Sequence, residues 1–344
     1  MKKKVAIVTG SSGQDGSYLC DFLLKKNYKV IACDRRSARN NNWRHEFLKI
    51  SNNKDIKYIS FDLQDYHSIL RLFKTIKIDE FYNLAAQSFV KESFENPLVT
   101  ADVTGLGVLR ILDCLKNYQP RIKFYQASTS EMFGNTNKNI QSEETKFNPK
   151  SPYGIAKLFA HELTKNYREA YGIFACSGIL FNHESPLRGI EFVTKKIVSD
   201  LVQIKFNKKK LLEVGNIYAK RDWGYAKDYV EAMWKILQQK KPNDYVICTG
   251  QTITVKEFIN LVLKKLNFKF KWTGKGLNER AINLDNKKTI IKINRKFFRP
   301  AEVDYLKGSN LKAKKILKWK PKTKIDKLVK IMVDGEIEIK KYYL

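Results

Sequence analysis

Three glycines at three-residue intervals, Gly10, Gly13 and Gly16, follow directly on a continuous apolar run at residues 5–8. A short unbroken run of this kind suits a strand buried on both faces of a parallel sheet. Leu19, Phe22 and Leu23 then recur at helical spacing, so the glycines make the turn from a strand into a helix. The first glycine permits the tight turn, the second lets an anion approach the backbone, and the third lets the helix pack on the sheet with its N-terminus facing that anion. In this setting the turn predicts a dinucleotide site formed by Gly10, Gly13, Gln14, Asp15 and Gly16.

Strand-like and helix-like stretches go on alternating. Strands are expected at residues 29–33, 56–61, 81–86, 122–127 and 173–180. Helices are expected around Ile69, Leu72, Phe73 and Ile76, over residues 103–115, and from near Tyr153. Repeated alternation of this kind predicts an α/β fold, a Rossmann-type doubly wound parallel sheet over residues 1–180. Beyond residue 181 the elements become shorter and more charged. Residues 181–344 read as a smaller C-terminal α/β substrate-binding domain, with segments near 225–250 returning to the first. A ligand would sit between the two.

The formal net charge of +30 invites a nucleic-acid reading, but 52 of the 65 basic residues are lysines and they are scattered. Arginine, not lysine, is the residue suited to bidentate recognition of phosphates and bases. No nucleic acid is therefore expected as a partner. No apolar run reaches the ~18 residues of a membrane span, and the run behind the basic start is too short for a signal peptide. A soluble cytoplasmic chain with no membrane partner is expected. Cys20, Cys33, Cys114, Cys176 and Cys248 form no CxxC pair and do not cluster with His45, His67, His161 or His183, so neither metal nor disulfides are expected.

Two constellations carry chemistry. Tyr153 and Lys157 stand four apart on a helix and share a face. An ammonium there stabilises the phenolate and lowers the tyrosine pKa, making Tyr153 a base. Ser128-Thr129-Ser130-Glu131 ends the fifth strand, where ligands bind in such sheets. An enzyme that only oxidises an alcohol does not need Glu131; one that also removes a proton beside a new carbonyl does. At the end of the second strand, Asp34 suits the ribose hydroxyls of NAD, while Arg35 and Arg36 suit the 2′-phosphate of NADP.

With these residues in view, the chain resembles the extended short-chain dehydrogenase/reductase family, and within it the GDP-mannose 4,6-dehydratases. The matching stretches are Thr-Gly-Ser-Ser-Gly-Gln-Asp-Gly-Ser-Tyr-Leu at 9–19, Asn-Leu-Ala-Ala-Gln-Ser at 83–88, Tyr-Gln-Ala-Ser-Thr-Ser-Glu at 125–131 and Ser-Pro-Tyr at 151–153. Phe-Asn-His-Glu-Ser-Pro at 181–186, Lys-Arg-Asp-Trp-Gly at 220–224 and Arg-Pro-Ala-Glu-Val-Asp at 299–304 are the most specific. The resemblance implies a redox-neutral reaction on a GDP-sugar with a tightly bound NAD(P). Tyr153, with Lys157, would take the proton of the carbon-4 hydroxyl as hydride leaves that carbon. Glu131 would remove the carbon-5 proton and assist loss of water from carbon 6, to which the hydride returns. Thr129 would hold the sugar near carbon 4. It further implies Asp62, Leu63, Leu84, Ala85, Ala86, His183 and Arg188 as cofactor contacts. Ser88, Asn182, Lys196, Arg221, Arg299 and Glu302 are implied on the substrate side, and a homo-oligomer, dimer or tetramer, as the assembly.

The chain departs from the family pattern at several points. Leu187 stands where a second arginine is usual, Asp34 where an apolar residue is usual, Tyr225 for histidine and Ser309 for aspartate. The stretch 37–48, with Asn40-Asn41-Asn42-Trp43-Arg44, is also unlike the standard loop. Together these resemble a branch acting on GDP-manno-heptose. A single arginine set against Asp34 makes a poor phosphate site, which leans the cofactor towards NAD over NADP. Alternatives of the same fold are a nucleotide-sugar 4-epimerase or reductase and a non-enzymatic dinucleotide sensor.

Overall fold

The structure is a computed structural model that describes residues 2–38, 41–136, 140–298 and 305–343. Its centre is a seven-stranded sheet. The strands are β1 (Val5–Thr9), β2 (Lys29–Asp34), β3 (Ile56–Ser60), β4 (Glu80–Asn83), β5 (Lys123–Thr129), β6 (Ala175–Leu180) and, later in the chain, β11 (Tyr245–Ile247), in the order β11-β6-β5-β4-β1-β2-β3. Every pairing in this sheet is parallel. β1 pairs with β2 on one side and β4 on the other, so the topological switch lies between β1 and β4, where such sheets open a ligand crevice.

Alternate residues along each strand feed two cores. Val8, Tyr82 and Tyr125 pack under α1 (Gln14–Lys25) and α9 (Ala226–Leu237). Ile7, Phe81 and Phe124 pack under α3 (Tyr66–Thr75), α6 (Gly107–Tyr118) and α7 (Pro152–Tyr171). Between α3 and α6 lie α4 (Val90–Glu95) and α5 (Pro97–Ala101), and a short helix, α2 (Trp43–Phe47), follows β2. At the strand ends a buried polar chain aligns the sheet. Thr9 Oγ1 donates to Asn83 Oδ1 at 2.6 Å, and Asn83 Nδ2 donates to Gln126 Oε1 at 2.8 Å.

Element ends differ from the expected ones for local reasons. β4 stops at Asn83 rather than Ala86 because the amides of Leu84 and Ala85 donate to Thr9 Oγ1 (3.1 and 3.2 Å) instead of a neighbouring strand. β5 runs on to Thr129, since Ser128 and Thr129 pair with Ile179 and Leu180 of β6. The helix expected over 103–115 is a π-helical turn, Asp102–Leu106, that passes into α6.

After β6 the chain makes β7 (His183–Glu184), α8 (Val193–Lys205), β8 (Leu212–Val214), β9 (Lys220–Arg221) and β10 (Gly224–Tyr225). α9 then packs against α1, and β11 joins the edge of the parallel sheet. β12 (Ile253–Thr254), α10 (Val255–Lys265), β13 (Phe270–Thr273), β14 (Arg280–Asn283), β15 (Thr289–Ile293) and α11 (Ile325–Tyr343) complete the chain. β13, β14, β15 and β8 form a four-stranded mixed sheet over which α8, α10 and α11 bury a separate apolar cluster. Among the described residues no helix is long and apolar enough to cross a membrane. All five cysteines are buried.

Candidate active site

A cavity of about 260 Å³ opens above the switch point, at the carboxyl ends of β1, β4, β5 and β6. One wall is the glycine turn. Gly10 holds a left-handed φ of +66°, and a Cβ there would meet the Ala85 backbone at 3.0 Å. A Cβ on Gly16 would stand 2.2 Å from the Gly10 carbonyl oxygen, so α1 packs on the turn at a distance only glycine permits. Gly13, at the N-cap, brings no side chain to the first-turn amides, which stay available to an anion.

The turn is tied across the cavity to β7. Gln14 Nε2 donates to the His183 carbonyl and to Asp15 Oδ1, each at 3.0 Å, and Ser185 Oγ donates to Gln14 Oε1 at 2.7 Å. Asp15 Oδ2 lies 2.6 Å from His183 Nε2. Burial alone would push the Asp15 carboxyl up, but His183, Arg188 and Gln14 together outweigh it and hold the group below its ordinary value.

The opposite wall carries the reactive groups. Thr129 ends β5, and its Oγ1 accepts from the Glu131 amide at 3.3 Å, starting the single 3₁₀ turn Ser130–Met132. α7 begins beside it. Ser151 caps the helix by accepting from the Gly154 amide at 3.1 Å, and Pro152 occupies the first turn. A Cβ on Gly154 would meet the Glu131 carbonyl at 3.0 Å, so this glycine lets α7 abut the Glu131 turn. Thr129, Glu131, Tyr153 and Lys157 consequently all line one cavity.

Tyr153 and Lys157 are both buried. Lys157 Nζ donates to the Ala127 carbonyl at 2.7 Å and lies 5.9 Å from the centroid of the Tyr153 ring. Burial brings the Lys157 ammonium down to about 8, with Asp15 opposing the shift. Burial likewise raises the Tyr153 phenol, and Glu131 adds to this, while a hydrogen bond from Thr129 and the Arg188 charge pull it back. The expected lowering of the Tyr153 pKa is thus absent from the ligand-free chain: desolvation exceeds what an ammonium held on Ala127 offsets.

Several expected contacts lie elsewhere. Asp34 is engaged by the glycine turn, accepting from Ser11 Oγ and from the Ser12 amide and hydroxyl, both at 3.0 Å. Arg35 and Arg36 are exposed. These three, with Asp62, Leu63 and Ala85, are outside the cavity wall, which does include Leu84, Ala86, Ser88, Asn182, His183 and Arg188. Lys196 and Arg221 line an adjoining cavity of about 170 Å³ that shares Asn182 with the first. Lys196 is paired with Asp200 at 2.7 Å, and Arg221 is buried beside Trp223. Arg299 and Glu302 fall outside the described residues.

Wall residues that sequence reasoning missed include Arg44, Glu191 and Phe192. Arg44 spans from α2 to two carbonyls, Leu187 O at 2.7 Å and Ser12 O at 3.0 Å. Its one sequence signal was membership of the atypical 37–48 loop. The Arg188 guanidinium lies 3.5 Å over the Phe192 ring. Its Nε–H is buried and makes no hydrogen bond among the described residues, although Glu184 Oε2 stands 3.3 Å away. A glycine cradle, uncapped helix amides and an under-used guanidinium together fit an anionic dinucleotide.

Solved structures with this architecture include a dTDP-glucose 4,6-dehydratase from Streptomyces venezuelae with NAD bound. It has a TM-score of 0.82 and 18% identity over 98% of both chains. A UDP-glucose 4-epimerase from Thermus thermophilus in complex with NAD has a TM-score of 0.79 and 22% identity, covering 97% of this chain and 99% of that one. These establish the fold. Sequence relatives are closer. GDP-mannose 4,6 dehydratase 1 from Arabidopsis thaliana is 49% identical over 98% of this chain and 91% of its own length. The GDP-mannose 4,6-dehydratase of Vibrio cholerae is 44% identical over 98% and 95%. The family model for GDP-mannose 4,6 dehydratase matches residues 7–332. By near-complete coverage at this identity, the chain belongs to the GDP-mannose 4,6-dehydratase family.

Proposed function

We propose that this chain is a GDP-manno-sugar 4,6-dehydratase, a hydro-lyase that forms a GDP-4-keto-6-deoxy sugar. The observation that carries the reading is the convergence of Thr129, Glu131, Tyr153 and Lys157 on one cavity facing the glycine turn. When bound, a nicotinamide dinucleotide would supply the acceptor for the carbon-4 hydride and its return to carbon 6. Tyr153 accepts the carbon-4 hydroxyl proton while Lys157 holds positive charge beside it. Thr129 orients that hydroxyl. Glu131 takes the carbon-5 proton, made acidic by the adjacent ketone, and passes a proton to the departing carbon-6 hydroxyl. Asn182, Lys196 and Arg221 line the way to the second cavity, which takes the GDP moiety, with Arg299 and Glu302 expected to join them.

GDP-D-mannose and GDP-D-glycero-D-manno-heptose share the reacting groups, the carbon-4 hydroxyl, the carbon-5 hydrogen and the carbon-6 hydroxyl, and both belong in the test. Incubated with either sugar and no added cofactor, the purified protein is expected to yield a 4-keto-6-deoxy product, read by NMR. A carbon-4 epimer without water loss would replace this reading with an epimerase. No change in either sugar would end it.

NAD is the proposed cofactor. Asp34 faces the turn where the adenosine ribose would lie, and Arg35 and Arg36 are exposed rather than turned to the cavity. A 2′-phosphate would meet a carboxylate there. Denaturing the purified protein should release mainly NAD, and mainly NADP would refute the preference. We also propose a homo-oligomer, built on the exposed apolar face formed by α5, the π-helical turn and α7.

A further inference from the structure

His183 has an acceptor at each ring nitrogen. Nδ1 lies 2.7 Å from the Phe181 carbonyl oxygen, and Nε2 lies 2.6 Å from Asp15 Oδ2. A carbonyl oxygen can only accept, so Nδ1 carries a hydrogen. An ionised carboxylate can only accept as well, so the short contact to Asp15 holds a second proton. A neutral imidazole beside an ionised Asp15 cannot meet both demands. The pair therefore holds one more proton than those two groups would, and its net charge is zero.

Asp15 is also in the first turn of α1, where a bound diphosphate would arrive. An uncompensated carboxylate there would repel it. We propose that Asp15 and His183 form a charge-neutralised clasp, in which the His183 imidazolium cancels Asp15 so that the turn accepts a dinucleotide diphosphate, while joining that turn to the strand beside Asn182. This rests on the dinucleotide reading of the cavity. His183 is a positioning residue in it.

The surroundings favour the proton on histidine. Burial opposes the imidazolium, but Asp15 and the Phe181 carbonyl together outweigh it and raise His183 above its ordinary value. Other groups face the ring. Glu184, next on β7, accepts from the Thr194 hydroxyl at 2.5 Å. Arg188, after β7, opposes the imidazolium by like charge. From α9 the Tyr229 ring stacks on the imidazole with centroids 4.5 Å apart, and Tyr225 of β10 stays a neutral phenol because burial raises it. On α7, the Lys157 charge also interacts with Asp15. A raised histidine keeps its proton to higher pH than a free imidazole and loses it as pH climbs through the raised value, leaving Asp15 as a bare charge.

Two measurements decide the matter. Both use protein stripped of its bound dinucleotide. In its ¹⁵N-histidine spectra, His183 is identified among the four histidines by the signals that vanish in His183→Gln. Both of its ring nitrogens are expected to be protonated at pH 7. A neutral tautomer there would overturn the clasp. In titrations with NAD, His183→Gln should weaken binding about tenfold or more, as expected for an unpaired buried charge. Asp15→Asn added to His183→Gln should recover most of that loss and remove the decline in affinity at alkaline pH. A double variant as weak as His183→Gln alone would also overturn the clasp. If the wild type binds neither NAD nor NADP, the functional reading fails, and the spectra still decide the protonation of His183.

Discussion

Lys157 is a charged group held in a dry place for a purpose, and its chemistry sets a window of pH. Burial brings it to about 8 from an ordinary 10.5. The folded chain then loses this proton as pH rises through about 8, whereas the unfolded chain keeps it to 10.5. At neutral pH the buried charge costs stability, and the cost fades between pH 8 and 10.5. Activity runs the other way, because the ammonium beside Tyr153 disappears. With dinucleotide saturating, so that His183 does not interfere, the rate of sugar oxidation is expected to fall above pH 8. Single-turnover rates across pH 7–10 check this, and a flat profile would contradict it. Lys157→Met should lose about 10²–10⁴ in rate, the usual worth of assisted proton transfer. Glu131 calls for a different readout. Glu131→Gln should leave dinucleotide affinity unchanged and stop water loss by a similar ~10²–10⁴ factor. Carbon-5 deuterium exchange in D₂O should vanish with it, and continued exchange would move the carbon-5 base elsewhere.

At the level of elements, α1 is the most demanding piece, since its packing on the glycine turn leaves no room for one methyl group. Gly16→Ala would press a Cβ to 2.2 Å from Gly10 O and 2.6 Å from Ser11 Cα, backbone atoms that cannot swing away. Overpacking of this kind costs about 1–3 kcal/mol, so the melting temperature should fall by several degrees and dinucleotide binding should be lost. A variant that melts and binds as the wild type does would show that the turn yields freely. The same element explains what could be read in advance. Buried parallel strands announce themselves as apolar runs, so β1, β2, β4, β5 and β6 are legible in the sequence with their order of use. Their ends are not, because a side chain decides them. Thr9, remote in sequence, ends β4 by taking the amides of Leu84 and Ala85. Ser128 and Thr129 look like a turn but continue the ladder opposite Ile179 and Leu180. Gly105 in the π-helical turn and Gly107 at the start of α6 sit where a Cβ would crowd Phe159 and Leu63, contacts that no local pattern encodes. In the site, residues within compact motifs were legible. Arg44, Glu191 and Phe192 were not, since each reaches the cavity only through the tertiary fold. Asp34 was found, but its partners Ser11 and Ser12 were not.

For the whole molecule, a net charge of +30 makes any two copies repel, so self-association has to use a face that carries little charge. The first half of α7 offers one. Ile155 and Phe159 are exposed, while Tyr153 and Lys157 on its other side face the cavity. Leu98 and Val99 of α5 and Leu106 of the π-helical turn are exposed as well, and both elements pack against α7. Gly105 lets the Phe159 ring lie close, at 3.1 Å from where a Cβ would stand, which joins these side chains into one patch. Leu98 is 84% exposed, an unusual state for a leucine that nothing covers. Two copies related by a twofold axis would bury the same patch on each and keep their lysines apart. Wild-type protein is therefore expected to sediment as a dimer or larger. Salt should strengthen the association, because ~0.15 M salt already screens repulsion beyond ~8 Å. The paired change Ile155→Glu and Phe159→Glu sets like charges against each other across the axis and should give monomers. Since α7 carries Tyr153 and Lys157, the monomer should also lose part of its activity. A wild type that stays monomeric at every salt concentration, or a double variant that sediments unchanged, would remove this face from the assembly.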